Sequence, residues 1–418
     1  MSIGFVVGVW VAKFLGPEQF GIYVYVQSFV ALFLTISTLG LEGVVLREIL
    51  KGKDRVEKII GTAISLRIIG ALFMLLIMYL ATFFTSDDSQ TNLYIFIVGS
   101  AAIFQSFNII DSFFQSKVIS KYPVYINSAT LLLSSLAKVI LVLNESELIL
   151  FIWLIFFDSV IIAMGLIYFF TKINKISSLK KIGFKKNIVK DLLNNSWPLI
   201  IGAIGASIYM KIDQVMIKNI LGNEEVGYYA VAAALSNIWL SITVIINKSF
   251  LPAILNAKEK SEKIYILRLQ NLYNLLIKIG FLISIPFALF SFEIVEFIYS
   301  KDYLNSVPIL SIYIWSIVFA YLSNISTSYF LAEHLKFHAS ARLILGALIN
   351  VFLNYFLILE FGILGAAYGT LIAYFFSSYF YNFLFAKTRN NFQLQTNAFI
   401  NIFNLKSYNL RKILNETL

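Results

Sequence analysis

Apolar residues in this chain arrive in long blocks separated by short polar breaks. The blocks fall at about 3–15, 20–41, 59–85, 93–115, 124–143, 148–171, 197–220, 227–255, 272–292, 306–331, 342–359 and 363–385. A helix rises 1.5 Å per residue and the hydrocarbon layer of a bilayer is ~30 Å thick, so a block of about 20 residues crosses it. The pattern therefore predicts an all-α, polytopic membrane protein of about twelve transmembrane helices. The first block is short, reaching only ~20 Å. Either the chain begins partway through its first span or that helix is shallow. It makes a poor signal peptide, having no basic leader and no small-residue cleavage site before the charged turn.

The polar breaks carry charge in strict alternation. Those at 42–58, 116–123, 172–190, 256–271, 332–342 and 386–418 hold 25 Lys and Arg, whereas the alternate set holds one, Lys301. The alternate set carries acids instead, among them Asp87, Asp88, Glu224 and Glu225. Because basic residues are retained on the cytoplasmic side, both termini are expected there. The most basic break, Lys172 to Lys190, has seven lysines and divides the spans six and six. LGPEQFGIY at 15–23 matches LGNEEVGYY at 221–229 at the outer turn of each half. Two six-helix lobes around a central cavity are expected, 1–190 and 191–385, followed by a cytoplasmic tail, 386–418.

Composition narrows the function. Of 418 residues, 59% are hydrophobic and 13% charged, against ~25% charged in soluble domains, which excludes an ordinary soluble enzyme. The chain has no cysteine, so disulfide frameworks, thiolate metal sites and thiol catalysis are excluded. The net charge of +10 is spread over membrane-flanking turns, so no nucleic-acid partner is expected. No phosphate-binding loop of the G-x-x-x-x-G-K-[ST] type occurs. Glu333, His334 and His338 in EHLKFH lack the order of a zinc helix and read as a solvated turn, so no metal site is assigned.

VAKFLGPEQFGIY at 11–23, TLGLEGVVLREI at 38–49, YMKIDQVMIKNILGNEEVGYYAVAAALS at 209–236, VEFIYSKDY at 295–303 and ALINVFLNYFLILEFGILGAAYGTLIAY at 347–374 carry a resemblance across nearly the whole chain. They resemble the polysaccharide-type, O-antigen flippases of the multidrug/oligosaccharidyl-lipid/polysaccharide exporter superfamily. The departure is the short first span. The resemblance implies a secondary transporter of the bacterial cytoplasmic (inner) membrane. It would move a polyprenyl-pyrophosphate-linked oligosaccharide outward by alternating access, for surface polysaccharides such as lipopolysaccharide, among membrane lipids and with polysaccharide assembly proteins as partners. No cofactor is implied beyond Na⁺ or H⁺ as coupling ion.

Ionisable side chains inside spans cost ~2.5–3.5 kcal/mol each at a helix centre and so need a partner, water or a route to the interface. Lys218 and Lys278 lie near helix ends and can snorkel. Arg67 and Asp111 could form an ion pair or a ligand site, and Lys138 and Asp158 a second pair. Arg67, Lys211 and Lys248 are candidates for contacting pyrophosphate, because cations in a wet cavity replace its hydration. Arg47 joins them through the resemblance of its LGLEGVVLREI stretch. On span seven, Lys211, Gln214 and Lys218 share a face and Asp213 points away. Helix rise puts Asp213, Asn350, Asn354 and Thr370 at one depth, about 8–13 Å from the outer ends, and their oxygens suit a hard cation. The set also looks like a cation site of some superfamily flippases, with Asn where a second carboxylate would stand. Proton coupling through Asp213 alone and a purely structural hydrogen-bond cluster are the competing readings.

Two other functions share parts of this pattern. A drug/cation antiporter of the same superfamily has the same topology. A membrane polysaccharide polymerase or glycosyltransferase commonly has a large external loop, and the longest external break here is only 293–305.

Overall fold

The computed structural model describes residues 2–52, 56–85, 87–174 and 183–403. The Lys172–Lys190 linker is described only at its ends, and residues 404–418 lie outside the described residues. Among the described residues every regular element is helical. In chain order they are α1 (Ser2–Thr38), α2 (Glu42–Lys51), α3 (Val56–Thr82), α4 (Ser89–Gln105), α5 (Asp111–Ser116), α6 (Lys121–Leu143), α7 (Leu148–Ile173) and α8 (Lys186–Leu221). There follow α9 (Asn223–Asn237), α10 (Leu240–Lys260), α11 (Glu262–Leu289), α12 (Ser291–Tyr299), α13 (Ser306–Tyr313) and α14 (Ser316–Ala332). The last are α15 (Lys336–Phe361), α16 (Ile363–Phe375), α17 (Tyr381–Leu384) and α18 (Arg389–Ile400).

Eleven described segments are long and apolar enough to cross a membrane, and the first, Ile3–Lys51, holds the first two apolar blocks. Gly16 divides them: its φ of 68° and ψ of 172° interrupt α1, and Pro17 restarts the helix where its missing N–H costs nothing. Counting that break, the described residues hold the twelve apolar blocks of the sequence pattern, the first of them short. Gly222 repeats the device before α9, with φ 115° and ψ −178°, and Glu224 and Glu225 sit in the following first turn, where the helix dipole favours acids. The two matching sequence stretches thus share a backbone solution.

Contacts divide the chain into two compact units, Met1–Asn219 and Ile220–Leu418. The sequence reading draws the line at 190, and the contacts group α8 with the first unit. In that unit a core of Val44, Val45, Ile60, Phe113, Phe114 and Phe170 ties α2, α3, α5 and α7 together, and Leu192 of α8 joins it. Leu72, Phe73 and Leu76 of α3, Leu132, Leu133 and Leu136 of α6, and Phe352, Phe356 and Leu359 of α15 point outward instead. Such apolar faces suit lipid tails.

In the second unit α15 and α16 pack closest. A Cβ on Gly365 would collide with the backbone of Leu357, and one on Gly369 with the side-chain oxygen of Asn354. Small residues four apart let two helix backbones approach in a bilayer. Beyond α17 the chain turns back. Asn382 Nδ2 donates to Gln395 Oε1 at 3.1 Å, Tyr379 and Thr396 hydroxyls meet at 2.9 Å, and Phe399 packs on Phe281, Phe319 and Tyr379. Residues 386–403, the start of the predicted tail, are therefore a packed part of this unit.

Candidate functional site

The polar residues singled out from the sequence separate into three settings. The first is a seam between the second half of α1 and α8. Thr35 and Ser207 hydroxyls meet at 2.7 Å, and Ser28 donates to Gln214 Oε1. One step further along, Lys218 pairs with Asp87, which also accepts from the Tyr25 hydroxyl at 2.8 Å. The Lys218 ammonium stands 5.0 Å from the centroid of the Tyr25 ring. The snorkelling expected of Lys218 is thus replaced by a buried ion pair, because the turn after α3 brings Asp87 over the end of α8. Next to it Asp88 caps α4, accepting the Thr91 N–H at 2.6 Å, and bonding to Thr91 holds its carboxyl below the usual range.

Gln214 and Lys218 are therefore committed to α1 and the α3–α4 turn, while Lys211 on the same face is half-buried. Asp213 is 4% exposed and belongs to the first unit.

The second setting concerns the other cations. Arg67 is 2% exposed, with Nη1 3.8 Å from Glu42 Oε1. Of the two readings of Arg67 and Asp111, the ion pair is not formed among the described residues, since α2 carries Glu42 to Arg67 and Asp111 accepts from its helix neighbour Gln115 at 2.9 Å. Asp158 likewise accepts from Ser134 at 2.7 Å, and no ion pair within 4.0 Å joins it to Lys138 among the described residues. Arg47 on α2 is exposed. Lys248 on α10 is exposed, beside Asn247, which bonds Asn324 O at 3.0 Å and Ser328 at 2.8 Å. Of the four proposed pyrophosphate contacts, Arg47, Arg67 and Lys211 lie in the first unit and Lys248 in the second.

The third setting is the α15–α16 contact. Asn350 and Asn354 are fully buried, and Asn354 Nδ2 faces Asn350 Oδ1 at 3.4 Å. Asn354 Oδ1 is seated against Gly369, the neighbour of Thr370. The Thr370 hydroxyl bonds Ala366 O at 2.9 Å and the Tyr229 hydroxyl at 3.0 Å. The structure thus pairs Asn350 with Asn354 and buries Thr370 one residue beyond the glycine that Asn354 touches. Among the described residues Asn350 Nδ2 has no hydrogen-bond partner, which is costly at such burial. The amide and hydroxyl oxygens of these three residues are donors a hard cation accepts.

Tyr229 and Arg342 escaped the sequence reading. Tyr229 ends the second copy of the repeated turn motif, which was its available signal. Arg342, counted there with a basic turn, is 2% exposed and forks onto Ser323 Oγ at 2.6 Å, Ser323 O at 3.0 Å and Thr327 Oγ1 at 2.8 Å. Its place near the start of α15, with hydroxyls four residues apart on a neighbouring span, left no mark in one sequence. In EHLKFH, Glu333 takes Lys258 at 2.8 Å and the His338 ring meets the Tyr381 hydroxyl at 2.9 Å, so both are engaged in packing.

Known proteins share the fold. A family model described as "Polysaccharide biosynthesis protein" matches residues 1–258. The chain belongs to the polysaccharide biosynthesis protein family. No curated protein sequence matches it. Among solved structures, this family member is similar to the lipid II flippase MurJ in an inward closed conformation. The TM-score is 0.70 at 15% identity, over 99% of this chain and 93% of that one. It is similar to an inward-facing multidrug resistance MATE family transporter of the MOP superfamily, at TM-score 0.68 and 14% identity over 97% and 95%. A mutant of the Vibrio cholerae MATE transporter VcmN matches at 0.56 and 14% over 98% and 99%. At such identities the likeness is one of fold: this member of the family has the MATE/MurJ fold.

Proposed function

We propose that this protein is a flippase that carries a polyprenyl-pyrophosphate-linked oligosaccharide from the cytoplasmic to the outer leaflet for surface polysaccharide assembly. The observation that carries the reading is one conjunction. A polysaccharide biosynthesis family match sits on a chain whose fold, over 99% of its length, is that of a lipid II flippase. The basic set of turns faces the cytoplasm, which puts both termini inside, in the inner membrane of a bacterium. Arg47, Arg67, Lys211 and Lys248 supply cations for the pyrophosphate, and Arg67 acts from behind Glu42. Asp213 of the first unit and Asn350, Asn354 and Thr370 of the second couple transport to Na⁺ or H⁺, the former through its carboxylate and the latter through their amide and hydroxyl oxygens. The cargo resembles an O-antigen unit, and assembly proteins receive it outside. None of these roles calls for covalent chemistry on the cargo, so the protein is not an enzyme.

A cation-coupled drug antiporter is the second reading, favoured by the MATE transporters that share the fold. Lipid analysis separates the two. Cells lacking the protein should accumulate complete lipid-linked units on the inner leaflet. Cells that keep a normal lipid pool but lose resistance to cationic drugs would favour the antiporter.

A further inference from the structure

Between α2, the turn joining α4 to α5, α6 and α7, the first unit holds a cavity of about 420 Å³. Its polar wall is made by Glu42, Asn108, Asp111, Ser112, Gln115 and Asn127. Counted at 1.5 Å per residue from the ends of α5 and α6, Asn108, Asp111 and Asn127 lie roughly 8–12 Å from the basic ends of their helices. The cavity is thus inside the layer of spans, close to the face that carries Lys117 and Lys121.

Three features of this wall bear on its guest. First, its hydrogen-bonding groups are open. Among the described residues the Asn108 and Asn127 amides take no side-chain hydrogen bond, and Gln115 occupies only Asp111 Oδ2, leaving Oδ1 to accept. An amide offers donor and acceptor together and so matches a hydroxyl, which is also both. Second, Ile162 and Leu166 give the cavity apolar lining, which suits the C–H face of a sugar ring. Third, the wall is acidic. Arg67, whose Nε is buried without a hydrogen bond, stands behind Glu42 and offsets that charge, so Asp111 remains uncompensated. A pyrophosphate placed here would meet a like charge.

We propose that this cavity seats a neutral or amino-bearing sugar of the cargo and excludes both its pyrophosphate and acidic sugars such as uronic acids. The inference rests on the flippase reading and adds to it a division of labour. Of the candidate cations, Arg47, Lys211 and Lys248 take the phosphates, Arg67 stays with Glu42, and the α2–α7 cavity takes the sugar. Asn127 is exposed and makes no internal hydrogen bond, so its replacement leaves folding intact.

The test uses the full chain in proteoliposomes with three probes: polyprenyl pyrophosphate bearing a neutral N-acetylhexosamine, the same lipid bearing a uronic acid, and the bare polyprenyl pyrophosphate. Asn127→Ala and Asn108→Ala should each slow the neutral-sugar probe about tenfold, the loss of one ordinary hydrogen bond, and leave the bare lipid unchanged. Asp111→Asn should speed the uronic probe. Equal slowing of sugar-bearing and bare lipids, or no slowing of either, would overturn the proposal. A diazirine placed on the hexosamine gives a readout that needs no transport: labelling within residues 106–130 supports the sugar seat, and labelling confined to other segments removes it. Labelling there by a protein that moves none of the probes would sink the flippase reading while keeping the cavity's ligand.

Discussion

Lys218 of α8 reaches the carboxylate of Asp87, 131 residues earlier, and the two side chains are almost entirely withdrawn from solvent. Removing one partner of a buried pair strands the other charge, at ~3–5 kcal/mol, whereas replacing both with apolar groups is often nearly neutral. Lys218→Met or Asp87→Leu alone should therefore lower the thermal midpoint of detergent-purified protein sharply, and the double variant should recover most of the loss. Strict additivity of the two single effects would show that the pair is not coupled.

The α15–α16 contact gives a graded series. Gly365→Ala drives a methyl into the Leu357 backbone, which cannot yield, and should abolish accumulation of folded protein. Gly369→Ala meets the Asn354 side chain, which can rotate, so the protein should fold with the Asn350–Asn354 pair disturbed. Gly8→Ala, with open space around it, should be tolerated or slightly stabilising. Fluorescence-detected size-exclusion chromatography of the three variants checks the order.

For coupling, transport in vesicles should depend on a Na⁺ or H⁺ gradient and lose that dependence in Asp213→Asn. Undiminished gradient-driven transport by the variant would leave Asn350, Asn354 and Thr370 as packing.

Asp88 offers a pH-dependent check outside the spans. Its folded carboxyl lies below the ordinary range because it accepts from Thr91. The stabilising contribution is full above the unfolded value, about 3.9, and is lost as pH falls through the lower folded value. Asp88→Ala should cost about 1 kcal/mol at neutral pH, as loss of a helix cap does, and the difference from the parent protein should close on acidification. A thermal-shift series from neutral pH downward measures both.

What the sequence made legible follows from what each feature needs. A span needs a long apolar run, so all twelve could be located without partners. The turn at Gly16 and Gly222 needs glycine followed by Pro or Asn and Glu, so it repeated visibly. Asn350 and Asn354 stood out because i and i+4 on a helix share a face. Lys218 did not reveal Asp87, nor Arg342 its hydroxyl fork, because those pairings depend on which helices become neighbours. Residues 389–400 were the hardest: RNNFQLQTNAFI has a low hydropathy and reads as an exposed tail, yet Asn391 and Gln395 are fully buried by hydrogen bonding.

That last helix also sets an order of assembly. Asn391 accepts from the Tyr273 hydroxyl at 2.6 Å and donates to Ser326 Oγ at 3.0 Å, and Gln395 reaches the same Ser326 at 2.9 Å. The ribosome must add 118 residues after Tyr273 before Asn391 exists, roughly 6–24 seconds at ordinary elongation rates, and until then the Tyr273 hydroxyl has Ser326 Oγ, at 3.2 Å, to bond. Through that interval Ser326 has Tyr273 beside it but lacks Asn391 and Gln395. The polar centre shared by α11 and α14 is therefore completed late, only once the chain has been made through α18.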